Sequence, residues 1–360
     1  MMKTTLSNIC GGYTKNIALK DLADNKGQYP IYGASGYIKK VDFYVSDCDY
    51  IGIVKDGAGV GRVEKYPAFS SLLGTMQYIV PKPDISIDYL KYLLKSLHLE
   101  KGITGAAIPH IYFKSYKNTQ VNIANFDDQV KISKELDNIN QAIDNKKQEL
   151  SSLDELVKSR FIEMFGDIDL SPQKAEWSKL SELGTIYTGT TPSTADETNW
   201  DGNILWITPA EINDDSFFID DTVRKITEKG MKSKSLSMMP VGTVLLSTRA
   251  PIGKVGIVAK SMTCNQGFKN FYCPSRVNSI YLYIILKNNT QYLNSIGTGT
   301  TFKEISKTTC GNIRVPVPPI ELQNEFAEFV KLIDKSKFIV QQQIKDLQEL
   351  LDSKMDEYFR

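Results

Sequence analysis

Side chains with catalytic spacing are sparse in this chain, whereas side chains able to read a polar surface are plentiful. Its 360 residues include two histidines, His98 and His110, and five cysteines without a C-x-x-C pair. No H-E-x-x-H run or EF-hand loop occurs, so neither zinc nor calcium ligation has its usual spacing. Lys55-Asp56-Gly57-Ala58-Gly59-Val60-Gly61-Arg62 is glycine-rich but lacks the G-x-x-x-x-G-K-[ST] spacing of a phosphate cradle. It reads as a tight hairpin, or as a turn presenting backbone to a nucleic acid. The expectation is no catalytic residue, no metal site and no cofactor site in this chain.

Groove recognition needs side chains that donate and accept at base edges, flanked by cations for phosphates. In the second half of the chain, Arg249, Lys254, Asn265, Gln266, Lys269 and Asn270 cluster between strand-like runs. Thr190, Thr191, Ser193 and Thr194 add short hydroxyls upstream, and Thr298, Thr300, Thr301 and Lys303 follow downstream. The first half offers a comparable set in Ser35, Tyr37, Lys39, Lys40, Lys55 and Arg62, with His110 and Lys114 later. Each residue alone also suits a solvated turn. As paired sets they are the candidate DNA-binding residues.

The elements that must position these sets repeat. The stretch 126–165 has a second copy at 320–359, in which Ile132, Leu136 and Ile139 recur as Phe326, Val330 and Ile333. Within each copy the apolar residues advance by alternating steps of three and four, a heptad pattern. Each segment predicts a helix roughly 60 Å long at 1.5 Å per residue. Lys146 and Lys337 interrupt the apolar seam. Asn125 suits the cap of the first helix and Gly166 its end, while Pro316, Pro318 and Pro319 lead into the second.

The repeat extends beyond the helices. Tyr89–Lys95 matches Tyr281–Lys287, and Gly61-Arg62-Val63 matches Gly253-Lys254-Val255. The chain divides into a strand-rich domain at 1–125, a long helix at 126–165, a second domain at 166–319 and a C-terminal long helix at 320–360. Residues 1–125 carry 15 Lys/Arg against 10 Asp/Glu, whereas each helix carries 6 against 9. The domains are mildly basic and the helices acidic, which directs a nucleic-acid partner away from the helices. No run reaches the 18 apolar residues of a membrane span, and no leader is apparent in residues 1–10. A cytoplasmic protein with free thiols and no membrane partner is expected.

At this point a resemblance becomes specific. Gly189-Thr-Thr-Pro-Ser193, Trp206-Ile-Thr-Pro-Ala-Glu211, Ser247-Thr-Arg-Ala-Pro-Ile-Gly-Lys-Val255, Gly299-Thr-Thr-Phe-Lys-Glu-Ile305 and Val315-Pro-Val-Pro-Pro-Ile-Glu-Leu-Gln323 resemble the DNA-specificity (S) subunits of type I restriction–modification systems. Gln129 holds in the first helix the place of Gln323 in the second, and both are candidate partner-binding residues. The first domain, with Tyr32-Gly-Ala-Ser-Gly-Tyr37, departs from this pattern and resembles a shorter class of recognition domain.

The resemblance implies an α+β fold: two mixed α/β target recognition domains separated by two long antiparallel coiled-coil helices, duplicated in tandem with quasi-twofold symmetry. It also implies that each domain reads half of a bipartite site in double-stranded DNA. The helices would dock two methyltransferase (M) subunits, which restriction (R) subunits can join. S-adenosylmethionine, ATP and magnesium would belong to those partners. The competing reading is a coiled-coil adaptor joining two protein- or peptide-binding domains, with no DNA role.

Overall fold

The computed structural model describes residues 1–57, 59–102, 109–174, 176–213, 217–249, 251–299 and 303–360. Two compact units emerge, one comprising Met1–Glu149 with Val340–Arg360, the other Leu150–Ile339. Each long helix, Phe126–Phe165 and Ile320–Phe359, contributes one part to each unit.

The first unit is built on a four-stranded antiparallel sheet in the order Cys10–Tyr13, Met76–Pro81, Tyr50–Val54, Val63–Tyr66. Tyr50–Val54 is buried at all five positions, as a strand covered on both faces must be. Alternation sorts its side chains: Ile51 and Ile53 join Ile79 against the helix Ile87–Ser96, whose Leu90, Leu93 and Leu94 are fully buried. Tyr50 and Val54 face the other way and pack with Leu72, Met76 and Tyr78. A three-stranded sheet, Gly36–Val41, Tyr29–Gly33, Ser71–Leu72, lies within the same unit. The turn expected at residues 55–62 joins Tyr50–Val54 to Val63–Tyr66 as a hairpin.

The second unit repeats the plan. Its five-stranded sheet runs Thr185–Thr188, Lys269–Tyr272, Val244–Leu246, Val255–Val258, Phe218–Ile219, with the last strand parallel to its neighbour. A three-stranded sheet contains Arg224–Ile226, Trp200–Ile207 and Thr263–Cys264. The helix Ser279–Asn288 stands where Ile87–Ser96 stands in the first unit, and both have ten residues. The hairpin turns also correspond, since Gly61 and Gly253 adopt φ of 90° and 96°. Their amides close on Val54 O and Ser247 O at 2.9 and 3.0 Å. A side chain would strain that backbone at either position.

Asn125 caps the central helix, its Oδ1 accepting from Asp128 N at 3.0 Å, and Gly166 ends it at φ 78°. In the second unit Lys337 Nζ meets Asp154 at 2.7 Å and Arg160 meets Glu325 at 3.0 Å. Numbers rise on one helix as they fall on the other, so the pair is antiparallel. Such exposed pairs contribute at most about 1 kcal/mol each. Apolar contact carries the pairing, through Phe161, Phe326 and Val330 in the second unit. In the first, Ile132 and Leu136 share a core with Leu351, Met355 and Phe359. Lys337, which interrupts the seam in sequence, thus spends its charge on the neighbouring helix.

Candidate nucleic-acid interface

The strand registers place the two polar sets on equivalent frames. Ile53 lies opposite Val63 on one side and Gln77 on the other. Leu246 lies opposite Val255. On the other side of that strand, Val244 faces Phe271 and Ser247 faces Phe268, so Lys269 falls opposite Leu246. Gln77 and Lys269 therefore hold the same place in the two units. Beyond the strand ends, a bridge joins Asp56 to His110 in one unit and Arg249 to Glu304 in the other. Ile111 N donates to Lys55 O, and Ile305 N to Thr248 O. One backbone frame thus carries Lys55, Asp56, Gln77 and His110 in the first unit, and Thr248, Arg249, Lys269 and Glu304 in the second.

In the second unit, the Glu304 carboxylate takes Arg249 Nη2 at 2.7 Å and Lys269 Nζ at 3.4 Å. The Arg249 hydrogen bond and the Lys269 and Arg249 charges hold its carboxyl below the usual range, against the opposing effect of burial. Lys269 is 9% exposed at its side chain and Arg249 49%. Burial thus makes Lys269 an internal cation, while Arg249 is presented outward with its orientation fixed. A guanidinium held by one edge keeps further N–H donors for guanine O6 and N7 or for a phosphate. Thr298 lies on the same site, exchanging backbone hydrogen bonds with Glu304 at 2.9 and 2.8 Å, and exposed Lys303 adjoins it.

In the first unit, Lys55 is buried and pairs with Asp56, and its ammonium lies 5.3 Å from the Tyr112 ring centroid. Lys114 Nζ approaches the same ring at 5.7 Å, and the His110 ring centroid lies 5.5 Å away. A half-exposed aromatic ring flanked by cations combines an apolar contact for a base edge with charge for a phosphate. On the Tyr29–Val41 hairpin, Ser35, Tyr37 and Lys40 are exposed, and Arg62 Nη1 donates to Ala34 O at 2.8 Å, tying that turn to the glycine-rich one.

The Gly189–Ser193 turn is held rigidly: Trp206 Nε1 donates to Thr190 O at 3.1 Å and Trp200 Nε1 to Ser193 O at 3.0 Å. Thr191 Oγ1 donates to Gln266 Oε1 at 2.7 Å, joining two candidates, and Thr194 is exposed beside them. Asn265 Oδ1 accepts from Gly267 N and shapes its own turn. Lys254 is half-buried next to Ser247, whose hydroxyl accepts its amide. Thr300 and Thr301 lie outside the described residues.

Several candidates are placed differently from a surface contact. Lys39 Nζ donates to Leu22 O at 2.6 Å, fastening the hairpin to its own domain. Lys55 and Lys269 are buried and neutralised, because an unpaired buried cation would be costly. Asn270 is fully buried, accepting from Leu246 N. Gln129 and Gln323, expected as partner contacts, are 1% and 0% exposed. Gln129 Oε1 accepts from Ser86 N at 2.9 Å while its Nε2 donates to Ala124 O and Asp84 O. Gln323 repeats the arrangement with Asn278 N, Pro318 O and Arg276 O. Each amide staples the start of the domain helix to the long helix, and its hydrogen-bonding groups are taken up within the chain. Glu304, Asp56 and Gln77 escape a search for cations and hydroxyls. Applying the repeat's offset to every residue type finds them.

Comparison with known proteins decides the family. Residues 1–155 and 172–349 match the family model of the type I restriction modification DNA specificity domain. The chain belongs to this family. It is 38% identical over 184 residues to the type I restriction enzyme MjaIX specificity subunit of Methanocaldococcus jannaschii, a match covering 50% of this chain and 43% of the relative. It is 27% identical over 169 residues to the EcoR124I/EcoR124II specificity subunit of Escherichia coli, covering 45% and 41%. The chain thus matches less than half the length of these two specificity subunits. Over 84% of this chain, the MjaVIII specificity subunit of M. jannaschii is 23% identical, with 76% of that relative covered. The S-subunit fold is shared with a crystal structure of the type I S subunit from M. genitalium, at a TM-score of 0.59 and 14% identity, over 100% of this chain and 96% of that one. No described helix is long and apolar enough to cross a membrane.

Proposed function

We propose that this chain is the address reader of a type I restriction–modification complex, each domain recognising one half of a bipartite site in double-stranded DNA. The observation that carries the reading is the duplicated frame bearing different polar side chains. Arg249 and Glu304 replace Asp56 and His110 at matching positions, so the two frames offer different donor and acceptor patterns. Base edges are told apart by such patterns. Two unlike readers on one frame suit a site with two unlike halves.

The long helices suit partner docking. Leu332, Phe338 and Ile339 lie within eight residues of one another and are 63%, 69% and 56% exposed. Fully apolar side chains clustered in this way mark an interaction surface. The partners are two methyltransferase subunits, with restriction subunits joining them. S-adenosylmethionine, ATP and magnesium act in those subunits, and this chain supplies no catalytic group.

The test is to express the chain with its cognate methyltransferase in a host lacking other modification and to map methylated adenines. A single bipartite motif that disappears when this chain is omitted is the expected result. Methylation independent of the chain would overturn the reading.

A further inference from the structure

A cavity of about 260 Å³ in the first unit is lined by Gly12, Tyr13, Thr14, Gln77, Tyr112, Phe113 and Lys114. Three observations set it apart. Gln77 is 1% exposed, its Oε1 accepts from Phe113 N at 2.9 Å, and its Nε2 has no hydrogen-bond partner. That acceptor contact fixes the orientation of the amide, so the free end is the NH2 group with its two donors. Leaving a buried donor unpaired is costly, which makes it unusual outside a site that a ligand completes.

Two tyrosines of the lining, Tyr13 and Tyr112, are each 38% exposed. Tyr13 is stacked on Tyr78 with ring centroids 4.8 Å apart and planes 2° from parallel, which holds its ring in place. Aromatic rings beside a Lys114 cation suit the edge of a base next to a phosphate backbone. Finally, the second unit answers the same position with Lys269, whose charge Glu304 satisfies internally. In the first unit the equivalent donor is buried in the cavity lining without a hydrogen-bond partner.

We infer that this cavity is a nucleobase subsite of the first domain, with Gln77 as a specificity-determining residue that donates to an acceptor on the base edge. The inference rests on the DNA-reading function proposed above. In the major groove guanine offers O6 and N7, thymine O4 and adenine N7, whereas cytosine offers only the N4 donor. The subsite therefore favours a base with an acceptor and rejects cytosine.

The test uses the full chain assembled with its methyltransferase, selecting bound duplexes from a randomised pool. Gln77→Glu keeps the shape, still accepts from Phe113 N and replaces the free donor with an acceptor. It is expected to shift one position of one half-site toward cytosine, leaving the other half-site unchanged. Gln77→Met removes the polar group. It is expected to lower discrimination at that same position by about tenfold, in line with the usual worth of a base contact. Should Gln77→Glu fail to fold, Gln77→Met decides. The wild-type motif at wild-type discrimination in whichever variant folds would overturn the subsite and leave the amide to water. A wild-type complex that selects no motif would instead refute the DNA-reading function itself, so the two failures are separate.

Discussion

Arg249 Nη2 lies 2.7 Å from Glu304 Oε2, while the other oxygen of that carboxylate faces Lys269 Nζ at 3.4 Å. The half-buried carboxylate thus aims an exposed guanidinium while it also pairs with the buried Lys269 ammonium. Without Glu304, Arg249 would regain the rotamer freedom that blurs a base contact. Glu304→Ala is expected to lose about 1–3 kcal/mol of discrimination at one position of one half-site. Selection of bound duplexes by the variant complex would reveal this as a relaxed position. An unchanged motif would mean that Arg249 needs no positioning.

The same carboxyl carries an acid signature. Its folded value is depressed, chiefly by the hydrogen bond from Arg249. A depressed carboxyl stabilises the fold above its unfolded value, and that contribution is lost as pH falls through the lower folded value. Glu304→Gln removes the titration, so wild type and variant should converge in stability toward acid. Thermal unfolding from neutral to acidic pH measures it, and a stability difference constant with pH would refute the coupling.

The Gln129 and Gln323 staples predict a structural defect. Replacing Gln323 with Ala leaves Asn278 N–H and two backbone carbonyls without their partner, at a cost of about 1–3 kcal/mol. Gln129→Ala should cost a similar amount in the first unit. Urea unfolding of each variant decides it. Wild-type stability would return these amides to a partner-contact role.

The fold was legible where a pattern repeats over many residues. The heptads announce the helices at Phe126–Phe165 and Ile320–Phe359, while Asn125 and Gly166 mark ends through backbone geometry. Site residues were less legible, because a charge in sequence does not say whether it faces water or a carboxylate. Lys55 and Lys269 look like phosphate contacts until Asp56 and Glu304 are seen beside them. Gln77 carries no charge and sits in a buried strand, so only its unpaired nitrogen distinguishes it.

The apolar side chains on the C-terminal helix predict where a partner sits. Leu332→Gln with Ile339→Gln removes two exposed apolar groups while leaving the buried Phe326 and Val330 contacts in place. Co-purification of the methyltransferase is expected to fall, with the melting temperature held within a few degrees because surface changes cost little. Retained co-purification would place docking elsewhere.

Burial sorts the lysines and arginines into two classes with different salt behaviour. Lys40, Arg62, Lys114 and Lys303 are exposed in the two units, whereas Lys55 and Lys269 are buried beside carboxylates. Each cation that neutralises a phosphate releases a counterion, so log affinity falls with log salt at a slope of about −0.9 per contact on duplex DNA. Lys114→Ala or Lys303→Ala should weaken binding evenly across sequences and make the slope shallower by roughly one contact. Lys269→Met should leave the slope nearly unchanged, since its charge is spent on Glu304. Its effect would instead fall on stability, because Glu304 loses one of two cations in a half-buried setting. Titrating the intact complex with duplex from low to moderate salt separates the classes. Equal slope changes for Lys303→Ala and Lys269→Met would refute the division, and an affinity indifferent to salt would refute phosphate contact altogether.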